Sequence, residues 1–432
     1  MKQLTKHTWF AIILAGMALA TAWAIRGQFG HEQGAAWAGG IGSLAILLLA
    51  GRKDWYPKAI KAAFAGAVGW GLGGMMSYGA VVGYGRGVEF VNVYYGLLML
   101  LVIGGLYGFI GGGLFGLVLA DTTKNKVKWH QVITELTVGG VIFYYFIIEQ
   151  LGIEMTPPRS EAWGVCAGIG IALLYYLART GQHSAMRVAV FAGLGGGFGF
   201  AFGNFLQVLG NVAQVPFNMW NVMEYSLGFF GGAGMAYATY TSEWPKEEKV
   251  VLKNSNLLIP LVGLVLLIPF FVWQQSFIMK DLSPTLERLE VADPASLFRM
   301  VQWVAFLALL ALAVTWIRKF NRHKNDLSSP IERESIKQVF VGYFGLYILY
   351  TILITGSFLS FYRIEQFLYI ANFLVILWAM PKVSVSFAPR PIAPVKWTYA
   401  LLGVIGFIAI LALIAISTHG EMPGMNRRFE LD

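Results

Sequence analysis

Cysteine is almost absent from this chain: Cys166 is the only one in 432 residues. A single thiol excludes an intrachain disulfide framework and any metal site built from several cysteines. Charge is scarce as well. Asp, Glu, Lys and Arg together make up 13% of the sequence, against roughly 25% in soluble domains, so a charged surface of ordinary extent is excluded. The chain has no P-loop, no HExxH and no GxSxG, so the usual signatures of nucleotide hydrolysis, zinc proteolysis and nucleophile-elbow chemistry are missing. GWGLGG at 69–74 formally fits GxGxxG, but no strand-loop-helix context surrounds it, and its glycines are expected to serve helix packing. No cofactor and no metal site is expected.

Apolar sequence is what the chain has in quantity. It is 57% hydrophobic and carries 51 glycines. A membrane-spanning helix needs about 20 predominantly apolar residues. Candidate tracts run over 8–25, 34–51, 59–83, 92–120, 131–151, 161–178, 187–209, 219–241, 257–278, 300–317, 338–358, 366–380 and 397–417. The expected fold is therefore an all-α, glycine-rich polytopic membrane protein of about 13 transmembrane helices, with the lipid bilayer as its solvent. The tracts 59–83 and 92–120 are long, and tilt or breakage at their glycines is expected. No stretch reads as a soluble domain. The longest polar connections are 279–299 and 318–337; the first, MKDLSPTLERLEVADPASLFR, spaces leucines and charges as an amphipathic helix lying along a membrane surface.

A net charge of +9 would suit nucleic acid in a soluble protein, but in a membrane protein the placement of charge matters more than its sum, and no nucleic-acid partner is expected. Sorted by alternate connections, 23 of the 32 Lys and Arg fall on one side, among them Arg52, Lys53, Lys124, Arg187, Lys319 and Arg390. The positive-inside rule makes that side cytoplasmic, with the N-terminus inside and the C-terminus outside, in a plasma membrane of bacterial inner-membrane type. Lys2 and Lys6 before an apolar run ending ATAWA would also suit a secretory signal. The run is long for a signal core and a second apolar segment follows almost at once, so a retained first helix is expected.

Two pairs of tracts match at a common offset. KAAFAGAVGWGLGGMMSYG (61–79) resembles RVAVFAGLGGGFGFAFGNF (187–205), and GGIGSLAILLLAG (39–51) resembles AGIGIALLYYLAR (167–179). The reading is a parallel duplication, with 1–125 as the first four-helix repeat, 126–245 as the second, and 246–432 as a five-helix C-terminal part. Gly104, Gly108, Gly112 and Gly116 recur every fourth residue, as do Gly195, Gly199 and Gly203. Such faces allow close helix approach where lipid gives no hydrophobic drive to packing.

Function is sought where charge interrupts oil on the side poor in Lys and Arg. RGQFGHEQG (26–34) sets Arg26, Gln28, His31, Glu32 and Gln33 between two apolar runs. Three other connections on that side pair Arg with Glu: Arg86 with Glu89, Arg159 with Glu161, and Arg363 with Glu365. Glu149 lies nearby, and Glu224 falls inside the eighth tract, preceded by Asn204, Gln207, Trp220 and Asn221. An ionisable group at such depth usually faces a cavity or a partner. Each Arg-Glu pair alone fits a solvent-exposed ion pair of little worth, and Trp at tract ends fits the interfacial belt. Their recurrence beside Glu224 favours one shared outward chamber.

Aromatic faces with amides and carboxylates suit a polyhydroxylated ligand, and Arg suits a carboxylate or phosphate. The expected function is ion-coupled secondary transport of a polar, anionic or sugar-like small solute, with Glu224, Glu32 and His31 carrying protons. The alternative is a membrane-embedded hydrolase or transferase acting on a glycan or lipid-linked substrate, in which the same three residues act as acid and base. The polar residues gather in the outer half, while the inner half offers chiefly Asp121 and Glu135, which favours the enzyme on this one count.

Overall fold

The computed structural model describes residues 3–155, 160–246, 257–325 and 331–430. It is all-helical, with no strand among the described residues. Sixteen α-helices follow one another among the described residues: α1 (Lys6–Arg26), α2 (His31–Ala50), α3 (Ala59–Gly74), α4 (Gly79–Tyr84), α5 (Phe90–Ala120), α6 (Trp129–Phe143), α7 (Ser160–Arg179), α8 (His183–Val212), α9 (Met219–Tyr240), α10 (Leu258–Val262), α11 (Ile268–Ser276), α12 (Met279–Arg288), α13 (Pro294–Asn325), α14 (Arg333–Thr355), α15 (Ile364–Ala379) and α16 (Pro394–Thr418). Eleven helical stretches among the described residues are long and apolar enough to cross a membrane, counting α6 with its extension to Gln150 and α10–α11 as one stretch each. The chain is thus a polytopic, integral membrane protein by its helices.

The other two expected tracts differ in an informative way. Residues 59–83 split into α3 and α4, separated by a non-helical turn at Met75–Tyr78. Residues 219–241 form the 22-residue α9, whose Asn221, Glu224, Ser226 and glycines make it less apolar than its neighbours. The amphipathic expectation at 279–299 resolves into α12, which buries Leu282 and Leu286 one turn apart and exposes its charges, followed by the first turns of α13.

Six helices close into a ring. α1 packs on α9, α9 on α8, α8 on α5, α5 on α3, α3 on α2, and α2 returns to α1. Glycine makes the tightest of these contacts possible. A Cβ at Gly104 would lie 2.4 Å from the Gly196 carbonyl oxygen, one at Gly108 2.0 Å from that of Ala192, and one at Gly112 2.8 Å from that of Val188. The second glycine row does the same on the opposite side of α8: Gly195 faces the Phe230 carbonyl, Gly199 that of Ser226, and Gly203 that of Met223. Both four-residue rows are helix-helix seams, where small residues let backbones approach closely and lipid gives no hydrophobic drive to packing. α6 and α7 pack on each other outside the ring, while α14, α15 and α16 brace it from α2, α1 and α5–α8 respectively.

The middle of the ring is filled, not hollow. Trp23 of α1 meets Trp70 of α3 with ring centroids 5.0 Å apart and Tyr107 of α5 at 5.4 Å, and all three are fully buried. Several connections rich in Lys and Arg meet at one end of the bundle. At the Lys/Arg-rich end, Lys61 pairs with Asp121 at 3.1 Å, Trp129 donates to the same carboxylate at 3.0 Å, and Arg52 pairs with Asp54 and reaches the Pro245 carbonyl.

Candidate functional site

The opposite end is open over a cavity of about 1090 Å³. Its floor comes from two interruptions in helical structure. α1 ends at Arg26, and Gly27–Gly30 turn the chain so that α2 begins at His31. Arg26 and His31 therefore face the same space, with Arg26 Nη2 and His31 Nδ1 2.8 Å apart. The Arg26 stem lies against Gly34, where a Cβ would come within 3.1 Å of its Cγ. The second interruption separates α3 from α4 and turns Tyr78 inward.

The third contributor is Glu224, five residues into α9 and so about 8 Å along its axis. Arg26 Nη1 donates to both carboxylate oxygens of Glu224, at 3.2 and 3.3 Å. Tyr78 joins the pair: its hydroxyl accepts from Arg26 Nη1 and donates to Glu224 Oε1. The side chains of the ion pair are 2% and 5% exposed. Rings complete the surroundings, with Trp23 and Tyr78 centroids 5.4 and 5.3 Å from the guanidinium and Phe200 packed edge-on against Tyr78. Taking both charges out of water is costly, and such a pair adds little to stability compared with apolar residues of the same volume. Its place at a cavity floor is where ionisable groups inside a membrane are expected to serve function.

The walls rise through α9 and α15. Asn221 lies one turn before Glu224 and donates to the Tyr369 hydroxyl. Trp220 exposes its ring beside it. Arg363 donates to Gln28 Oε1 at 3.0 Å, joining the α1–α2 turn to the start of α15, and Glu365 is buried in the first turn of that helix. Tyr362, Phe217 and Asn218 form the rim.

Of the residues expected from sequence, the cavity brings together Arg26, Gln28, His31, Trp220, Asn221, Glu224, Arg363 and Glu365. The others lie elsewhere. Glu32 follows His31 but does not line the cavity, and Gln33 donates across to Gln275 of α11. Arg86 stacks its guanidinium over the Trp220 ring at 5.1 Å, outside the lining. Glu89 hydrogen-bonds Asn92 and pairs with Arg427 at 3.6 Å, not with Arg86. Asn204 and Gln207 are buried in α8, bonded to each other at 3.1 Å, with Asn204 against Gly85. Glu149 and Glu161 are exposed near the ends of α6 and α7, outside the ring. Arg159 lies outside the described residues.

Tyr78 is the main cavity residue to which the sequence assigned no role; Tyr362, Ser77 and Phe217 also line the cavity and were not singled out. The signal for Tyr78 was the polar interruption Ser77-Tyr78-Gly79 inside an apolar tract. A further strap was not legible at all. Residues 422–429 return over this end: the Asn426 amide donates to the Gly83 carbonyl at 3.0 Å, and the buried Asn92 accepts from the Arg428 and Phe429 amides at 2.7 and 2.9 Å. The strap holds α4, the short helix whose first residues line the cavity.

Comparison with protein-family models, with curated proteins and with solved structures finds no match to this chain. No group of three or more His, Cys, Asp or Glu placed to hold a metal occurs among the described residues.

Proposed function

We propose that this protein is an ion-coupled secondary transporter of a polar small solute, anionic or sugar-like, and that the cavity is its outward-facing binding site. The observation that carries the reading is the broken helix α3–α4, which delivers Tyr78 to the Arg26–Glu224 pair at the cavity floor. Helix breaks at membrane depth are tolerated where they line a cavity, and transporters build their sites from such breaks. Arg26 and Arg363 suit a carboxylate, Gln28, Asn221 and Glu365 suit hydroxyls, and the Trp220 ring suits the C–H face of a sugar. A solute carboxylate competes with Glu224 for Arg26. A carboxylate left alone in apolar surroundings is costly, so solute binding is linked to protonation of Glu224, with His31 as the neighbouring proton carrier.

The proposal includes 13 crossings, the 11 apolar stretches plus α9 and the broken α3–α4, with the Lys/Arg-rich end cytoplasmic in a bacterial-type plasma membrane. It also includes the four-helix duplication, diverged so that α1 and α2 join the ring while α6 and α7 stay outside it.

One observation favours a membrane-embedded glycan hydrolase or transferase instead: two buried carboxylates, Glu224 and Glu365, line a single cavity. Proteoliposomes separate the two. Transport predicts accumulation of a radiolabelled hexuronate or hexose under an inward proton gradient, abolished by Glu224→Gln. Cleavage of labelled glycan at the vesicle surface with no accumulation of any sugar or sugar acid would replace transport with catalysis.

A further inference from the structure

We infer that Arg187 and Arg390 form a second binding site, for a phosphate group, at the Lys/Arg-rich end of the bundle. Arg187 sits in the second turn of α8 and is 4% exposed. Its three hydrogen bonds go to neutral oxygens: Ser242 Oγ at 3.2 Å, Thr241 Oγ1 at 2.9 Å and the Pro391 carbonyl at 3.2 Å. Arg390 comes from the connection between α15 and α16 and reaches the same place. Its Nη1 donates to the Tyr237 hydroxyl at 2.8 Å, while its Nε is buried with no partner. The two guanidiniums converge on the end of α9, Arg187 on Thr241 and Ser242 and Arg390 on Tyr237.

Arg26 and Arg187 are the two buried arginines among the described residues; Arg26 has a carboxylate within 4 Å, whereas neither Arg187 nor its neighbour Arg390 has one among the described residues. A buried charge without an opposite charge is costly, and a second, half-buried cation beside it adds to that cost. The arrangement is nonetheless held firmly. The Ala388 and Arg390 amides donate to the Tyr240 and Thr241 carbonyls at 3.1 and 2.9 Å, so the segment is pinned to the end of α9. Two forks with several unused N–H donors match an anion with three or four oxygens better than a carboxylate with two.

The surroundings indicate where such an anion sits. Phe191 lies under the Arg187 guanidinium at 5.3 Å and packs against Tyr237 and Trp397, and Trp9 stacks on Tyr237. Aromatic rings at this level are typical of the membrane-water interface. Basic pockets between transmembrane helices on the cytoplasmic side take anionic headgroups. An anionic phospholipid and free phosphate present the same chemistry here, and the experiment distinguishes them.

The full-length protein in detergent is probed by native mass spectrometry with phosphatidylglycerol and with phosphatidylcholine, and by thermal unfolding in inorganic phosphate against chloride at equal ionic strength. Phosphatidylglycerol is expected to be retained over phosphatidylcholine, and Arg187→Gln or Arg390→Gln to weaken it about tenfold, the loss of one charge-assisted contact. Lys382→Gln, an exposed cation at the same end, leaves retention unchanged. If millimolar phosphate stabilises the wild type and not Arg390→Gln, while neither lipid is preferred, the source is soluble phosphate and the site stands. Arg390 is half-buried, so its variant decides the matter even where Arg187→Gln fails to fold. The inference is overturned if neither probe separates the wild type from Arg390→Gln, or if Lys382→Gln loses as much.

Discussion

Removing one partner from the Arg26–Glu224 pair should cost far more than removing both. At 3.2 Å the attraction between the charges is about 5 kcal/mol gross with an effective dielectric of ~20. Most of that gain offsets desolvation, so the pair as a whole contributes little. A single replacement leaves an uncompensated charge at a site where the side chains are almost fully covered, at a cost of about 3–5 kcal/mol. Arg26→Met and Glu224→Leu should each lower the unfolding free energy by that amount, while the double variant returns to within about 1 kcal/mol of the wild type. The coupling energy of the cycle is then at least ~5 kcal/mol, above the roughly 0.5–3 kcal/mol usual for contacting residues. SDS titration of the micelle-bound protein reads all four corners. All three variants lose transport, the stable double variant included, which separates binding from folding. Additive single effects, agreeing to about 0.5 kcal/mol, would refute the argument that these two charges depend on one another.

Other consequences are smaller in scope. Gly108→Ala places a Cβ 2.0 Å from the Ala192 carbonyl oxygen, so α5 and α8 must part, and the unfolding midpoint should fall clearly; Gly403→Ala on α16 meets open space and should be neutral or stabilising by up to about 1 kcal/mol. Asn92→Ala removes the acceptor for the Arg428 and Phe429 amides, and hydrogen exchange across 422–429 should rise at least tenfold while that of α5 stays unchanged. Arg363→Gln keeps the stem but loses the cation at the cavity wall; KM for an anionic solute should rise about tenfold or more, and that for a neutral sugar should change little.

Much of the architecture could be read ahead of the structure because a bilayer imposes a length and a period on every helix. The four-residue glycine rows marked both seams of α8. Partners were a different matter. Glu224 was recognisable from its depth in an apolar tract, but its cation, Arg26, lies 198 residues away and is brought there by the packing of α1 on α9, which no local pattern encodes. The nearer acid, Glu32, was the natural expectation for Arg26, yet it sits on α2 without lining the cavity. Tyr78 was hidden for a related reason: its role depends on the exact residue at which α3 stops. Glu149 and Glu161 looked equivalent to the cavity residues by sequence and were separated from them only by the placement of α6 and α7 outside the ring.

The claim that this is a moving, two-sided site is tested most directly by access to its lining. Ala80, small and in the cavity wall on α4, is replaced by Cys in a Cys166→Ser background, since Cys166 is the chain's one native thiol. A membrane-impermeant maleimide is then applied to right-side-out and to inverted vesicles. Transport predicts labelling from both faces, with bound solute changing the two rates in opposite directions. Labelling from the open face alone, whatever solute or gradient is applied, would contradict it.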